Sequence, residues 1–232
     1  MTTTTPRSLA GNRSGSRTRR LPLAGSAVLA AVPLASGILR LVQLAGGPQL
    51  MPVDLRFAGS ALPLVAHITG SLLFALLSAV QFVPRLRQHR NSWHRRAGRV
   101  VAATGLVAAT SALWITLFHP HREGTGDLLF LLRLVFASAM IACLGLGIAA
   151  IVRRDVKAHR AWMVRAYAIG MAAGTQAFTQ GFSQAIFGSG VLLDDAAKGM
   201  GWIINLAIAE WVILRAPRHP RLPAADPRVG GT

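Results

Sequence analysis

The sequence predicts an all-α, polytopic transmembrane helical bundle, and three observations predict it. Six apolar runs of roughly 18 to 25 residues are each long enough to cross a hydrocarbon core of about 30 Å. Of 232 residues, 52% are hydrophobic and only 14% charged, with a mean hydropathy of +0.45; soluble domains are about a quarter charged. The basic residues gather in alternate segments between the runs, as in cytoplasmic loops. The runs are continuous rather than alternating, so helices rather than a barrel satisfy the backbone in lipid. A net charge of +17 would suggest nucleic acid in a soluble protein. Its confinement between apolar runs excludes that class here.

Residues 1–20 are rich in Thr, Ser, Gly and Arg without apolar periodicity and read as a disordered cytoplasmic tail. Leu21–Leu39 is the first span. With the basic stretch before it, it also has the form of a signal peptide, but no small-x-small cleavage site follows, so a retained helix is expected; cleavage would leave five spans. The remaining spans are expected at Ala61–Val83, Val100–Phe118, Leu128–Val152, Ala166–Phe187 and Ala196–Leu214, and residues 215–232 form a second disordered tail. Small residues such as Gly145, Gly147, Ala172 and Gly174 allow close helix contact. Cys143 is the single cysteine, which rules out an intramolecular disulfide.

Orientation follows from the arginines. One side carries Arg7, Arg13, Arg17, Arg19 and Arg20, the loop from Arg85 to Arg99, the loop from Arg153 to Arg165, and Arg215, Arg218, Arg221 and Arg228. The other carries only Arg56, Arg122 and Lys198, among Asp54, Glu123, Asp127, Asp194 and Asp195. The first side is expected in the cytoplasm of a bacterial cell, with both termini inside. Trp93, Trp162 and Trp211 fall near inner ends of spans and Trp114 and Trp202 near outer ends, as interfacial belts do.

Ionisable groups inside a membrane are costly and become functional candidates. His67 lies about 10 Å below the outer surface. It can bond a neighbouring helix, ligate a haem iron or join a proton path. Arg133 snorkels or meets an anion, and Glu210 pairs with an inner arginine or serves a pathway. Gln176, Gln180 and Gln184 recur at i, i+4 and i+8 on one helix face, with Thr175, Thr179 and Ser183 alongside. They either bond helices together or line a wet substrate pathway.

Two cytoplasmic helix entries are alike: Trp93-His94-Arg95-Arg96-Ala97-Gly98-Arg99 and His159-Arg160-Ala161-Trp162-Met163-Val164-Arg165-Ala166-Tyr167. Together with His67 and Ala168, the chain at these residues resembles an uncharacterised bacterial family of multi-helix membrane proteins, a domain of unknown function. The likeness covers about residues 64–187 of a domain expected at 21–214. The resemblance implies a membrane fold and no established activity. A weaker resemblance is to transmembrane di-haem cytochrome b proteins, carried by His67, the turn Arg85–Trp93 and His94 with Gly98. It implies a b-type haem on paired histidines. His94 and His159 share a depth at the inner surface, whereas His67 lies about 24 Å of helix away from that level. His119 and His121 are the only histidines on the outer side for His67.

Nucleotide-loop, zinc-protease and serine-hydrolase motifs are absent. The leading expectation is a small redox or cofactor-binding module near the inner face. His94 and His159, with His67 as a further candidate, would bind haem b or a quinone head, and Arg95, Arg160 and Arg165 would hold its anionic groups. Any enzymatic role would be membrane electron transfer, and no metal other than haem iron is expected. The alternatives are a small-molecule or proton-coupled carrier using Gln176, Gln180, Gln184, Arg133 and Glu210, and an accessory subunit of a membrane complex. Expected partners are the bilayer, anionic lipid at the cytoplasmic arginines, and membrane subunits, but not nucleic acid.

Overall fold

The structure, a computed structural model, describes the backbone of residues 17–81 and 91–215 and the side chains of 31–81 and 95–215. The tail expectations for residues 1–16 and 216–232, the centre of the basic turn at 82–90, and the side chains of Trp93 and His94 lie outside the described residues. Among those residues there are seven α-helices and no strand. They are α1 (Arg17–Leu44), α2 (Leu62–Gln81), α3 (Asn91–Phe118), α4 (Asp127–Val152), α5 (Val156–Gly170), α6 (Ala172–Phe187) and α7 (Val191–Leu214). A short 3₁₀ turn, Leu55–Phe57, sits in the connection from α1 to α2.

Four helices are long and apolar enough to cross a bilayer: α2, α3 from Arg95, α4 and α7. The described part of α1 adds a shorter apolar stretch, Ala31–Leu44. The expected fifth span is not one helix. It divides at Met171 into α5 and α6, and α5 begins ten residues before the expected Ala166. Helix α1 overruns its expected bounds at both ends, α3 absorbs residues 91–99 of the basic turn, and α7 starts at Val191 rather than Ala196. Charged residues at these helix ends extend the helices past the apolar windows from which spans are read.

The surface identifies the solvent. Phe178, Phe182, Ile186, Val135, Ile203 and Ile208 project outward, all more than half exposed. An apolar surface this continuous is not sustained in water, whereas it is the ordinary exterior of a protein in lipid. The interior is built largely from small residues, among them Ala108, Ala109, Ala150, Ala166, Ala172 and Ala209. Close van der Waals contact between backbones supplies the packing that the hydrophobic effect cannot supply in hydrocarbon. At Gly70, an added Cβ would lie 3.0 Å from the Ala108 amide nitrogen and the Thr104 carbonyl oxygen, so α2 and α3 meet there almost backbone to backbone.

A central cluster of Phe74, Val101, Ala109, Met140, Cys143, Leu144, Ala166 and Ile169 joins α2, α3, α4 and α5. Trp162 packs against this cluster and Trp202 stacks on Phe136 at 4.6 Å, so these two tryptophans are packing residues. Trp114 and Trp211 are more than half exposed.

One end of the bundle gathers the α1–α2, α3–α4 and α6–α7 connections. Arg56 Nη1 donates to Pro120 O at 3.5 Å, and Gln184 Nε2 donates to both carboxylate oxygens of Asp194 at 3.1 Å. This is the arginine-poor end. The other end carries the α4–α5 turn, the C-terminus of α7 and most of the described arginines.

Candidate functional site

The α4 N-terminus leaves backbone amides without intrahelical acceptors. Gly126, its cap residue, has no side chain to supply one. Asp195, completely buried on the first turns of α7, does so instead: Oδ2 accepts from Gly126 N at 2.9 Å and Leu129 N at 3.1 Å. A negative charge at this position also complements the helix dipole. Drawing the last span from Ala196 left Asp195 in a loop, and its role was therefore not legible.

Beside this joint lies a half-open cavity of about 530 Å³, lined from exposed Arg122 at the arginine-poor end down to Phe74 and Met140. Phe74 is twelve residues along α2, so the cavity extends about 18 Å towards the middle of the bundle. Helices α1, α2, α3, α4, α6 and α7 all contribute to its wall, as do Ile169 and Gly170 of α5.

The upper wall is cationic. Arg40, Arg56, Arg122, Arg133 and Lys198 line it, against the single acid Asp54. Asp54 is already committed, accepting from Arg56 Nε at 2.9 Å and Nη2 at 2.7 Å. That pairing holds the Asp54 carboxyl below its ordinary range. Arg40 donates to Pro52 O at 2.8 Å. Arg122, Arg133 and Lys198 form no ion pair with a described residue. Arg133 was legible from its place inside an apolar run, whereas the other four were not, because loop and helix-end cations reveal their convergence only in the fold.

His67 lines the same cavity, and its Nδ1 lies 2.9 Å from Ala108 O on α3. A carbonyl only accepts, so Nδ1 carries a proton, and in the tautomer with that proton alone Nε2 is left as an acceptor. The glutamine stripe does not act as a unit. Gln176 lines the cavity and packs on Gly201, its Nε2 buried without a hydrogen-bond partner. Gln180 is half-buried, and Gln184 is exposed and bound to Asp194.

Thr175 Oγ1 donates to Asn205 Oδ1 at 2.8 Å, and Asn205 Nδ2 donates to Ala168 O at 3.0 Å. Ala168 lies in the last turn of α5, where helix carbonyls lack partners, so Asn205 satisfies the break. A lone amide in the apolar α7 sequence was the available signal for this role.

At the opposite end Arg165 grips Glu210, Nε–Oε1 2.5 Å and Nη2–Oε2 2.9 Å, and lies over the Trp162 ring at 4.7 Å. His159 Nδ1 meets Gly147 O at 2.8 Å across the α4–α5 turn. Arg160 is exposed, and Arg95 is exposed near the start of α3. His67 and His159 are not brought together. Their partners Ala108 and Gly147 lie about 15 Å and about 30 Å from the arginine-poor ends of α3 and α4. Among the described residues, no three His, Cys, Asp or Glu side chains gather as a metal site.

Fold and surface define a polytopic α-helical membrane protein with a cation-lined cavity at one end. The family described as predicted membrane protein (DUF2306) matches residues 64–213, more than half of the chain, and the chain belongs to it. The match starts where the sequence likeness starts and runs on through α7. No curated protein and no solved structure shows a significant match. The likeness to di-haem cytochrome b proteins finds no counterpart in these comparisons.

Proposed function

We propose that this protein is a membrane-embedded binding protein of carrier type, whose cavity takes a small amphiphile from the arginine-poor end. The single observation that carries this reading is the cavity itself: about 530 Å³, polar at its mouth and apolar at its depth. Volumes of 300 to 1,000 Å³ with a few convergent polar groups are usual for small-molecule sites. The positive-inside rule supports a mouth facing away from the cytoplasm of a bacterial inner membrane. Six crossings would require α1 and the broken α5–α6 pair each to traverse the bilayer.

A haem or quinone module at His94 and His159 is less well supported. Of the three arginines expected beside it, Arg165 is committed to Glu210. His159 retains one feature in favour: with Nδ1 donating to Gly147 O, Nε2 is left for a metal. A Soret band in protein expressed with ample haem would restore that reading.

Cysteine accessibility tests the cavity. In a Cys143→Ser background, Ser71→Cys on the cavity wall should react with a membrane-impermeant thiol reagent, while Leu76→Cys on the exposed apolar face of α2 should not. Equal protection of both positions overturns the proposal.

A further inference from the structure

We propose that the cavity is an oxyanion site for an amphiphile. Arg133, with Arg122 and Lys198 beside it, binds a phosphate- or carboxylate-type head, and the walls around Phe74, Phe136 and Met140 take the tail. The inference rests on the open cavity described above and names what enters it.

The cations are the first ground. Arg56 is neutralised by Asp54 and Arg40 is occupied by Pro52 O, so both hold the α1–α2 connection in place. Arg122, Arg133 and Lys198 face the same space without an ion pair among the described residues. The carboxylate of Asp195 lies within electrostatic range of Arg133 and Lys198, but its Oδ2 bonds the α4 amides and its Oδ1 has no hydrogen-bond partner, so neither oxygen contacts those cations. Asp194 is also in range of Lys198 and Asp54 of Arg122, but none of these acids comes within ion-pair distance of the three cations. Arg133 is six residues into α4, about 9 Å from its start, where an uncompensated charge is expensive unless an anion joins it. A guanidinium supplies parallel donors that match the oxygens of a carboxylate or phosphate.

The lower cavity is the second ground. Towards the middle of the bundle the wall is mostly apolar, with Phe74, Phe136, Met140, Ile169 and Trp202 around Gln176. A free inorganic anion would leave that depth unfilled, whereas an alkyl chain removes apolar surface from water there. Between head and tail, His67 Nε2 accepts and Gln176 Nε2 donates, a pair suited to a hydroxyl or to a protonated head oxygen.

The test uses the full-length chain in maltoside micelles, titrated calorimetrically with decyl phosphate, decanol and inorganic phosphate. Decyl phosphate should bind, and Arg133→Gln should weaken it tenfold or more. Arg122→Gln, at an exposed position on the rim, should weaken it severalfold and keeps the test decisive if Arg133→Gln fails to fold. Decanol binding as tightly as decyl phosphate, with no response to either substitution, overturns the oxyanion assignment while the cavity stands. Inorganic phosphate binding as tightly as decyl phosphate assigns a free oxyanion and overturns the amphiphile. Absence of binding by every probe, with Ser71→Cys still labelled, overturns the inference alone; loss of that labelling overturns the cavity too.

Discussion

Arg165 and Glu210 tie α5 to α7 with two parallel hydrogen bonds, and the tie lies at a half-exposed position. Solvent-screened pairs contribute about 0.2 to 1 kcal/mol, and the bidentate geometry puts this one at the upper part of that range. A double-mutant cycle with Arg165→Met and Glu210→Gln should return a coupling of about 1 kcal/mol in thermal unfolding, shrinking at high salt. A coupling of zero would reduce the pair to surface decoration. Asp54 offers a pH test at the other end. Its carboxyl is held below the ordinary range, chiefly by hydrogen bonding from Arg56. Its stabilising contribution is therefore fully present above about pH 4, the unfolded value, and is lost as pH falls through the depressed folded value. Hydrogen exchange in residues 50–58 should accelerate only below that range, whereas Asp54→Asn should exchange rapidly at neutral pH. Both arginines were visible as letters, but their partners were not. Glu210 was expected to meet an inner arginine, and choosing Arg165 among several needed the α5–α7 packing.

Among the elements, the α4–α5 turn is closed by a Schellman arrangement: Asp155 N donates to Ala150 O at 2.9 Å and Arg154 N to Ile151 O at 3.0 Å. This puts Arg154 at φ 61°, a left-handed conformation that favours glycine. Asp155 then starts α5, its Oδ1 accepting from Ala158 N at 2.9 Å. Arg154→Gly should raise stability by about 0.5 to 1 kcal/mol, net of the extra freedom glycine gains when unfolded, read as a higher unfolding midpoint. An unchanged or lower midpoint would mean that the arginine side chain contributes more than its backbone costs. The spans themselves were largely legible, since hydrocarbon-length apolar runs have few alternative readings. Their ends were not, because Asp195 and the residues from Asn91 to Arg99 are polar and still helical. The division at Met171 was hidden for another reason: no proline or charge marks it, and Asn205 supplies its compensation from a different helix.

For the whole molecule, everything depends on which solvent meets the exposed Phe, Ile and Val side chains. Labelling of Ser71→Cys beside protection of Leu76→Cys is the outcome expected if water enters the bundle while lipid coats it. The cavity was only half legible in the sequence. His67, Arg133 and Gln176 stood out as polar groups within apolar runs, whereas Arg40, Arg56, Arg122 and Lys198 sit at run ends where cations are commonplace. Their meeting depends on five helices and two connections folding over one space. The interruption at Met171 bears on how the wall of that space is held. An unbroken rod would transmit any tilt at Gln176 to Arg165. Cut in two, it is tied to α7 at separate points, its lower piece by Glu210 and both sides of the joint by Asn205, which bonds Ala168 O and Thr175 Oγ1.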